Sequence, residues 1–118
     1  MAPQTGIVKD VSYLRHETSA FHPESPKRLE AVYKMLETAD MKGKFLEIPP
    51  RPATAAEIGA IHNAQYIDSV NQTAGLAHCY LDPDTETSSE SCNTAKMAAG
   101  GFCNAVDSVI RGEVRNAF

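Results

Sequence analysis

The sequence predicts an α/β chain that is mostly helical, with one or two short strands. Three features carry that prediction. Apolar residues recur at helical spacing over several stretches, the longest of them late in the chain. Two short apolar segments, Thr5-Gly6-Ile7-Val8 and Phe45-Leu46-Glu47-Ile48, read as strands. Composition is that of a folded protein, with 42% hydrophobic and 22% charged residues in a chain of 118.

Each element follows in order. After the first strand comes a polar stretch, residues 9–25. Pro26 suits the first turn of a helix, and Leu29, Val32, Tyr33 and Leu36 then mark one apolar face. That helix is expected to fade over residues 40–43. Pro49-Pro50 closes the second strand. Thr54-Ala55-Ala56-Glu57 has the pattern of a capping box, a hydroxyl three residues ahead of a carboxylate, and opens a short helix carrying Ile58 and Ile61. A further helix is expected over 63–71. Residues 75–86 lack a period and contain Leu81-Asp82-Pro83-Asp84-Thr85, which reads as a loop. Thr87-Ser88-Ser89-Glu90 repeats the capping-box pattern before the longest helix, about 92–111, whose stripe includes Ala95, Ala99, Phe102, Val106 and Ile110. Gly112 suits its C-terminal cap. Residues 114–118 look like the entry to another strand. An isolated strand cannot satisfy its backbone hydrogen bonds, so these strands call for a sheet that the chain is not expected to complete.

Charge and cysteine usage exclude several classes. The net charge is −4 and the pI about 5.5, without the basic excess of a nucleic-acid or membrane-surface protein. No apolar run approaches the roughly 20 residues of a membrane helix, and Met1-Ala2-Pro3-Gln4-Thr5 lacks a leader pattern. Three cysteines without a CxxC pair fit reduced thiols and a cytoplasmic location.

Few residues carry obvious chemistry. The four histidines, His16, His22, His62 and His78, share no metal-ligand spacing with each other or with the cysteines, so no metal site is expected from them. No nucleophile elbow or phosphate loop is present. Gly100-Gly101 lies inside a helical pattern, where such a pair permits close packing. Asp82-Pro83-Asp84 has two readings: a solvated turn, or a carboxylate at a pocket rim that accepts N–H groups from a bound chain. Arg28 opens a helix, where a cation opposes the helix dipole. It reads either as a surface arginine or as a buried one gripping carbonyls.

Several segments together resemble the zinc-dependent histone-deacetylase-like family. His22-Pro23-Glu24-Ser25-Pro26-Lys27-Arg28-Leu29 is similar to its HPExPxRL segment. Glu57-Ile58-Gly59-Ala60-Ile61-His62, continuing to Val70, is similar to its E-(I/L)-x-x-(V/I)-H helix. Leu81–Thr85 resembles the loop before its long helix, and Ala98-Ala99-Gly100-Gly101 and Asn116-Ala117-Phe118 follow in the same order. The nearest flavour is the bacterial and class II branch, which includes acetylpolyamine amidohydrolases and acetoin-utilisation-type proteins. The resemblance implies a three-layer α/β/α fold of the arginase/deacetylase type, with residues 1–118 as the N-terminal portion of a single domain. It implies hydrolysis of an acetyl-lysine or acetylated polyamine amide through a zinc held by two aspartates and a histidine. The family's catalytic segment follows Asn-Ala-Phe, so no catalytic or zinc-binding residue is expected within residues 1–118. Asp84 matches the loop aspartate that anchors substrate backbone, and Arg28 the arginine lining the internal channel, expected to be buried. His22 matches a structural-zinc position of one branch, but Glu17-Thr18-Ser19-Ala20-Phe21 supplies no cysteine partner. The competing reading is a non-catalytic helical module that binds or self-associates through exposed apolar faces.

Overall fold

The computed structural model describes residues 4–118; Met1, Ala2 and Pro3, and with them most of the segment read for a leader, lie outside the described residues. Strand β1 (Thr5–Ile7) is the centre of a parallel three-stranded sheet. On one side it pairs with β2 (Phe45–Glu47), with Thr5 opposite Phe45 and Ile7 opposite Glu47. On the other it pairs with β5 (Asn116–Ala117), with Thr5 opposite Asn116 and Gly6 opposite Ala117. The strands are therefore not isolated, as the sequence reading had it: residues more than a hundred positions apart complete one another's ladders. Val8 N–H donates to the Phe118 carbonyl (2.7 Å) and Phe118 N–H to that of Gly6 (2.9 Å). Both outer strands still present an open edge to any further strand.

Helix α1 (Pro26–Leu36) connects β1 to β2, the crossover that a parallel pair requires. Ser25 caps it, its hydroxyl accepting from Lys27 N–H, and Pro26 occupies the first turn. Two short helices follow β2: α2 (Ala55–Gly59) and α3 (Ala64–Asn71). The capping box at α2 is complete, with Glu57 N–H donating to Thr54 Oγ1 (3.1 Å) and Thr54 N–H to Glu57 Oε1 (2.8 Å).

The expected loop over 75–86 is instead largely a hairpin, β3 (Cys79–Asp82) against β4 (Thr85–Thr87), with Pro83-Asp84 as the turn. Alternation of Tyr80, Asp82, Thr85 and Thr87 about a Pro-Asp turn is the strand signal that was there to read. The hairpin also undoes the second capping box. Thr87 lies in β4 and its Oγ1 donates across the ladder to the Cys79 carbonyl (3.4 Å), while Ser88 N–H donates to Ser91 Oγ (2.8 Å) and the helix starts without a side-chain cap.

The longest helix, α4 (Ser91–Ile110), leads to β5. It ends in a Schellman motif on Gly112 (φ 72°), with Glu113 N–H donating to the Ser108 carbonyl and Gly112 N–H to that of Val109. Gly100 and Gly101 bring two segments onto its surface. A Cβ at Gly100 would collide with the Arg51 carbonyl and sit 2.6 Å from Ala53 N; one at Gly101 would sit 2.8 Å from Val8 Cγ1. Ala53 N–H donates to the Lys96 carbonyl (2.9 Å), fixing that approach. Arg51 locks it further, with two bonds to Glu57 (2.7 and 2.8 Å) and one to Asn104 (2.9 Å).

The core is small. Ile48, Ala105 and Val114 are buried together, with Val8 and Ala117 packed against them. The molecule is a slab of 46 × 34 × 19 Å with a radius of gyration of 15.9 Å, against about 13.5 Å for a compact domain of this length. It exposes 8075 Å², where a compact monomer of this mass exposes roughly 6,300 Å². Phe102 is 71% exposed and Ile61 82%. The uncovered face expected on α4 is present, with Ala95, Phe102 and Val106 all exposed. That expected on α1 is only partial, because Leu36 is buried and Leu29 half-buried. Among the described residues no helix is long and apolar enough to cross a membrane.

Candidate functional site

The β3–β4 turn and the loop before α1 meet at a cleft of about 380 Å³, lined by residues that include His16, Thr18, His22, Glu24, Arg28, Asp84 and Glu86. Both residues singled out in the sequence, Asp84 and Arg28, therefore open onto one cavity.

The turn is preorganised from within. Asp84 N–H donates to Asp82 Oδ1 (2.9 Å), which closes an Asx turn. That bond, with a second from the Thr85 hydroxyl, holds the Asp82 carboxyl below its ordinary value. The two carboxylates thus divide their work: Asp82 is spent on the turn, while the Asp84 side chain is 99% exposed.

The N-terminal polar stretch is stitched along the hairpin and the start of α4. Glu17 N–H donates to Ser88 Oγ (3.1 Å), His16 Nδ1 lies 2.7 Å from Ser91 Oγ, and Ser19 donates both its N–H (3.0 Å) and its hydroxyl to Glu86. Glu86 is a buried carboxylate whose other partner is His78 Nε2 (3.1 Å). The Ser19 hydroxyl above all holds it below the usual carboxylate value, against the desolvation of its burial. Sequence reasoning left Glu86 and Ser19 unremarked, and no local signal marks a pair 67 residues apart.

His22 connects the loop to the turn, its Nε2 lying 3.1 Å from the Asp84 carbonyl and 3.8 Å from its carboxylate. Arg28 corrects the expectation of a buried, carbonyl-bound arginine. Its side chain is 69% exposed and its nearest carboxylate is Glu24, 4.0 Å away one helical turn back. The first turn of α1 points into the open mouth of the cleft, and none of the described residues covers it, so the guanidinium has no wall of carbonyls to meet.

Among the described residues no three His, Cys, Asp or Glu side chains converge on a point where a metal could sit. The histidines are dispersed: His62 stacks on Tyr66 at 5.0 Å, while His16, His22 and His78 serve Ser91, Asp84 and Glu86. A catalytic zinc needs about three protein ligands, and these residues do not fit one. Cys79, Cys92 and Cys103 are unpaired. The Cys103 thiol is pushed up by its bond to Glu57 and by desolvation, which suppresses its thiolate.

A second concavity of about 430 Å³, between α2–α3 and α4, is apolar, with Ile58, Ile67, Val70 and Phe102 among its walls. Its polar lining includes Glu57, His62, Lys96 and Cys103, of which Glu57 and Cys103 are bonded to each other.

Comparison with known proteins agrees with the arrangement. The family model for the histone deacetylase domain matches residues 22–118. Histone deacetylase 15 of Arabidopsis thaliana is 34% identical over 98 residues, 82% of this chain and 18% of that protein. Polyamine deacetylase HDAC10 of Danio rerio is 31% identical over 126 residues, 98% of this chain and 19% of that protein. The crystal structure of the HDA15 HD domain superposes with a TM-score of 0.89 at 32% identity, covering 100% of this chain and 35% of that one. The chain thus spans about a fifth of the length of these curated relatives, and its parallel sheet with flanking helices is part of their α/β fold. The chain belongs to the histone deacetylase domain family.

Proposed function

We propose that residues 1–118 are the N-terminal portion of a single deacetylase domain that hydrolyses an acetyl-lysine or acetylated-polyamine amide, in the cytoplasm. Asp84 is the rim residue that receives the substrate. Its carboxylate stands at the mouth of the cleft, on a turn tied down at both ends, and this single observation carries the reading. Such a carboxylate accepts main-chain or ammonium N–H groups from a bound substrate. Arg28, across the same cleft, is proposed to line the channel once further protein closes over it. The large excess of exposed surface supports that closure. A family zinc would supply an activated water; its ligands are not among residues 1–118, and the chain's own contribution is rim, channel wall and scaffold.

The exposed face of α4, with Phe102 at its centre, favours a second reading in which the chain self-associates. The test of the first is kcat/KM of Asp84→Ala in the complete enzyme, beside Asp82→Ala. Loss of a charge-assisted pair costs about 1.5–3 kcal/mol, a fall of roughly 10- to 150-fold for Asp84→Ala. Wild-type activity in Asp84→Ala would remove Asp84 from the substrate site.

A further inference from the structure

We propose that His22 is the positioning residue for Asp84. Its ring pins the Pro83-Asp84 turn to the loop ahead of α1 and so holds the rim carboxylate where a substrate can reach it. The inference rests on the rim reading of Asp84 and adds a residue to it.

The geometry fixes what the ring does. Glu24 N–H donates to His22 Nδ1 (3.1 Å), so that nitrogen is the acceptor. Nε2 then carries the proton, and it donates to the Asp84 carbonyl at 3.1 Å. The tautomer is set by a main-chain donor on one side and used on a main-chain acceptor on the other.

Both ends of the tether are themselves rigid. The loop is closed by His22 N–H to the Ser19 carbonyl (2.9 Å) and by Thr18 Oγ1 to the Glu24 carbonyl (2.6 Å). The turn is closed by Asp82. The His22 side chain is only 12% exposed, although it belongs to a largely polar loop. The Asp84 side chain has no comparable support of its own: apart from the 3.8 Å approach of His22 it stands in solvent. Without the ring, the turn keeps only its internal bonds, those to Asp82 and those of the β3–β4 ladder. The carboxylate would then sample positions that a substrate must reorder on binding.

Two substitutions separate the tether from the rest of the residue. His22→Asn keeps an oxygen near the place of Nδ1 to accept Glu24 N–H but is too short to reach the Asp84 carbonyl. His22→Gln extends an amide N–H to the place of Nε2. In the full-length protein, with an acetyl-lysine peptide as substrate, His22→Asn should raise KM on the order of fivefold, the worth of one net hydrogen bond, with kcat unchanged. His22→Gln should restore KM. In an Asp84→Ala background, His22→Asn should change nothing further, because the two act as one unit. A fall in kcat without a change in KM, or full additivity with Asp84→Ala, would overturn the inference.

A second readout is independent of activity. Long-range proton–nitrogen spectra should show His22 protonated at Nε2, and the amide order parameters of Asp84 and Thr85 should fall in His22→Asn and recover in His22→Gln. A turn as ordered in His22→Asn as in wild type refutes the tether itself. A turn that loosens while Asp84→Ala is kinetically silent refutes the rim reading instead, and with it any catalytic consequence of the tether.

Discussion

Replacing Gly100 with alanine reverses the sign that helix propensity alone would give. In an open helix the change stabilises by about 1 kcal/mol. Here the added Cβ would meet the Arg51 carbonyl oxygen and lie 2.6 Å from both Ala53 N and the Pro52 carbonyl carbon. All three are backbone atoms, so no flexible side-chain end can swing aside. Regaining an ordinary contact of ~3.5 Å requires the segment to retreat by about 1 Å at Ala53 and further at the Arg51 carbonyl. That retreat stretches the Ala53 N–H bond to Lys96, now 2.9 Å, and loosens the Arg51–Glu57–Asn104 lock. Overpacking costs about 1–3 kcal/mol and the weakened hydrogen bond about 1 kcal/mol, so the net loss is about 2 kcal/mol after the propensity gain. Gly59 is the control: it lies in α2, where an added Cβ meets nothing within 4 Å. In urea titrations, Gly100→Ala should lower the midpoint by about 1–2 M at unchanged slope, and Gly59→Ala should leave it equal or higher. A Gly100→Ala protein as stable as wild type would show that α4 does not lie against the 51–53 segment as described.

Two further outcomes follow from the same structure. Arg51 above all, then the Thr54 N–H, holds the Glu57 carboxyl far below its ordinary value of 4.5, so its stabilisation is present in full above that pH and is lost as pH falls towards the folded value. Glu57→Gln should therefore be less stable than wild type at pH 7, and the gap should close as urea titrations are repeated below pH 4.5; a gap that widens in acid would contradict the pairing. If the α4 face drives self-association, sedimentation of residues 1–118 should show assembly that Phe102→Glu abolishes, and assembly indifferent to that change would place the contact elsewhere.

What was legible in the sequence was local. The Thr54–Glu57 capping box, the Pro26 start of α1 and the Gly112 cap each depend on residues within one helical turn, and each formed as read. Gly100-Gly101 was legible because two glycines inside a helix need a packing reason. The second capping box failed because its hydroxyl, Thr87, was claimed by a strand partner eight residues away, at Cys79. The sheet was missed as a sheet because β1 finds its partners some 40 and 111 residues downstream, Phe45 and Asn116 for Thr5, and short strands carry no mark of their partner. At the site, the Asp82-Pro83-Asp84 turn and Arg28 stood out in the local sequence and family resemblance supplied their roles, but the cleft that joins them could not be read from either. Glu86, Ser19 and the His22 ring do their work across 62 to 67 residues, and only the fold brings them together. Arg28 was expected to be buried because the resemblance implies a closed channel, whereas the residues described here leave that side open.

On the proposed reading this chain supplies the rim and scaffold of a deacetylase domain and no zinc centre of its own. The most direct measurement is to purify residues 1–118, dialyse them against trace zinc, and determine bound metal by elemental analysis together with hydrolysis of an acetyl-lysine peptide. The expected result is zinc well below one per chain and no turnover, since the four histidines serve four separate neighbours. One zinc per chain, with turnover that disappears on chelation, would contradict it.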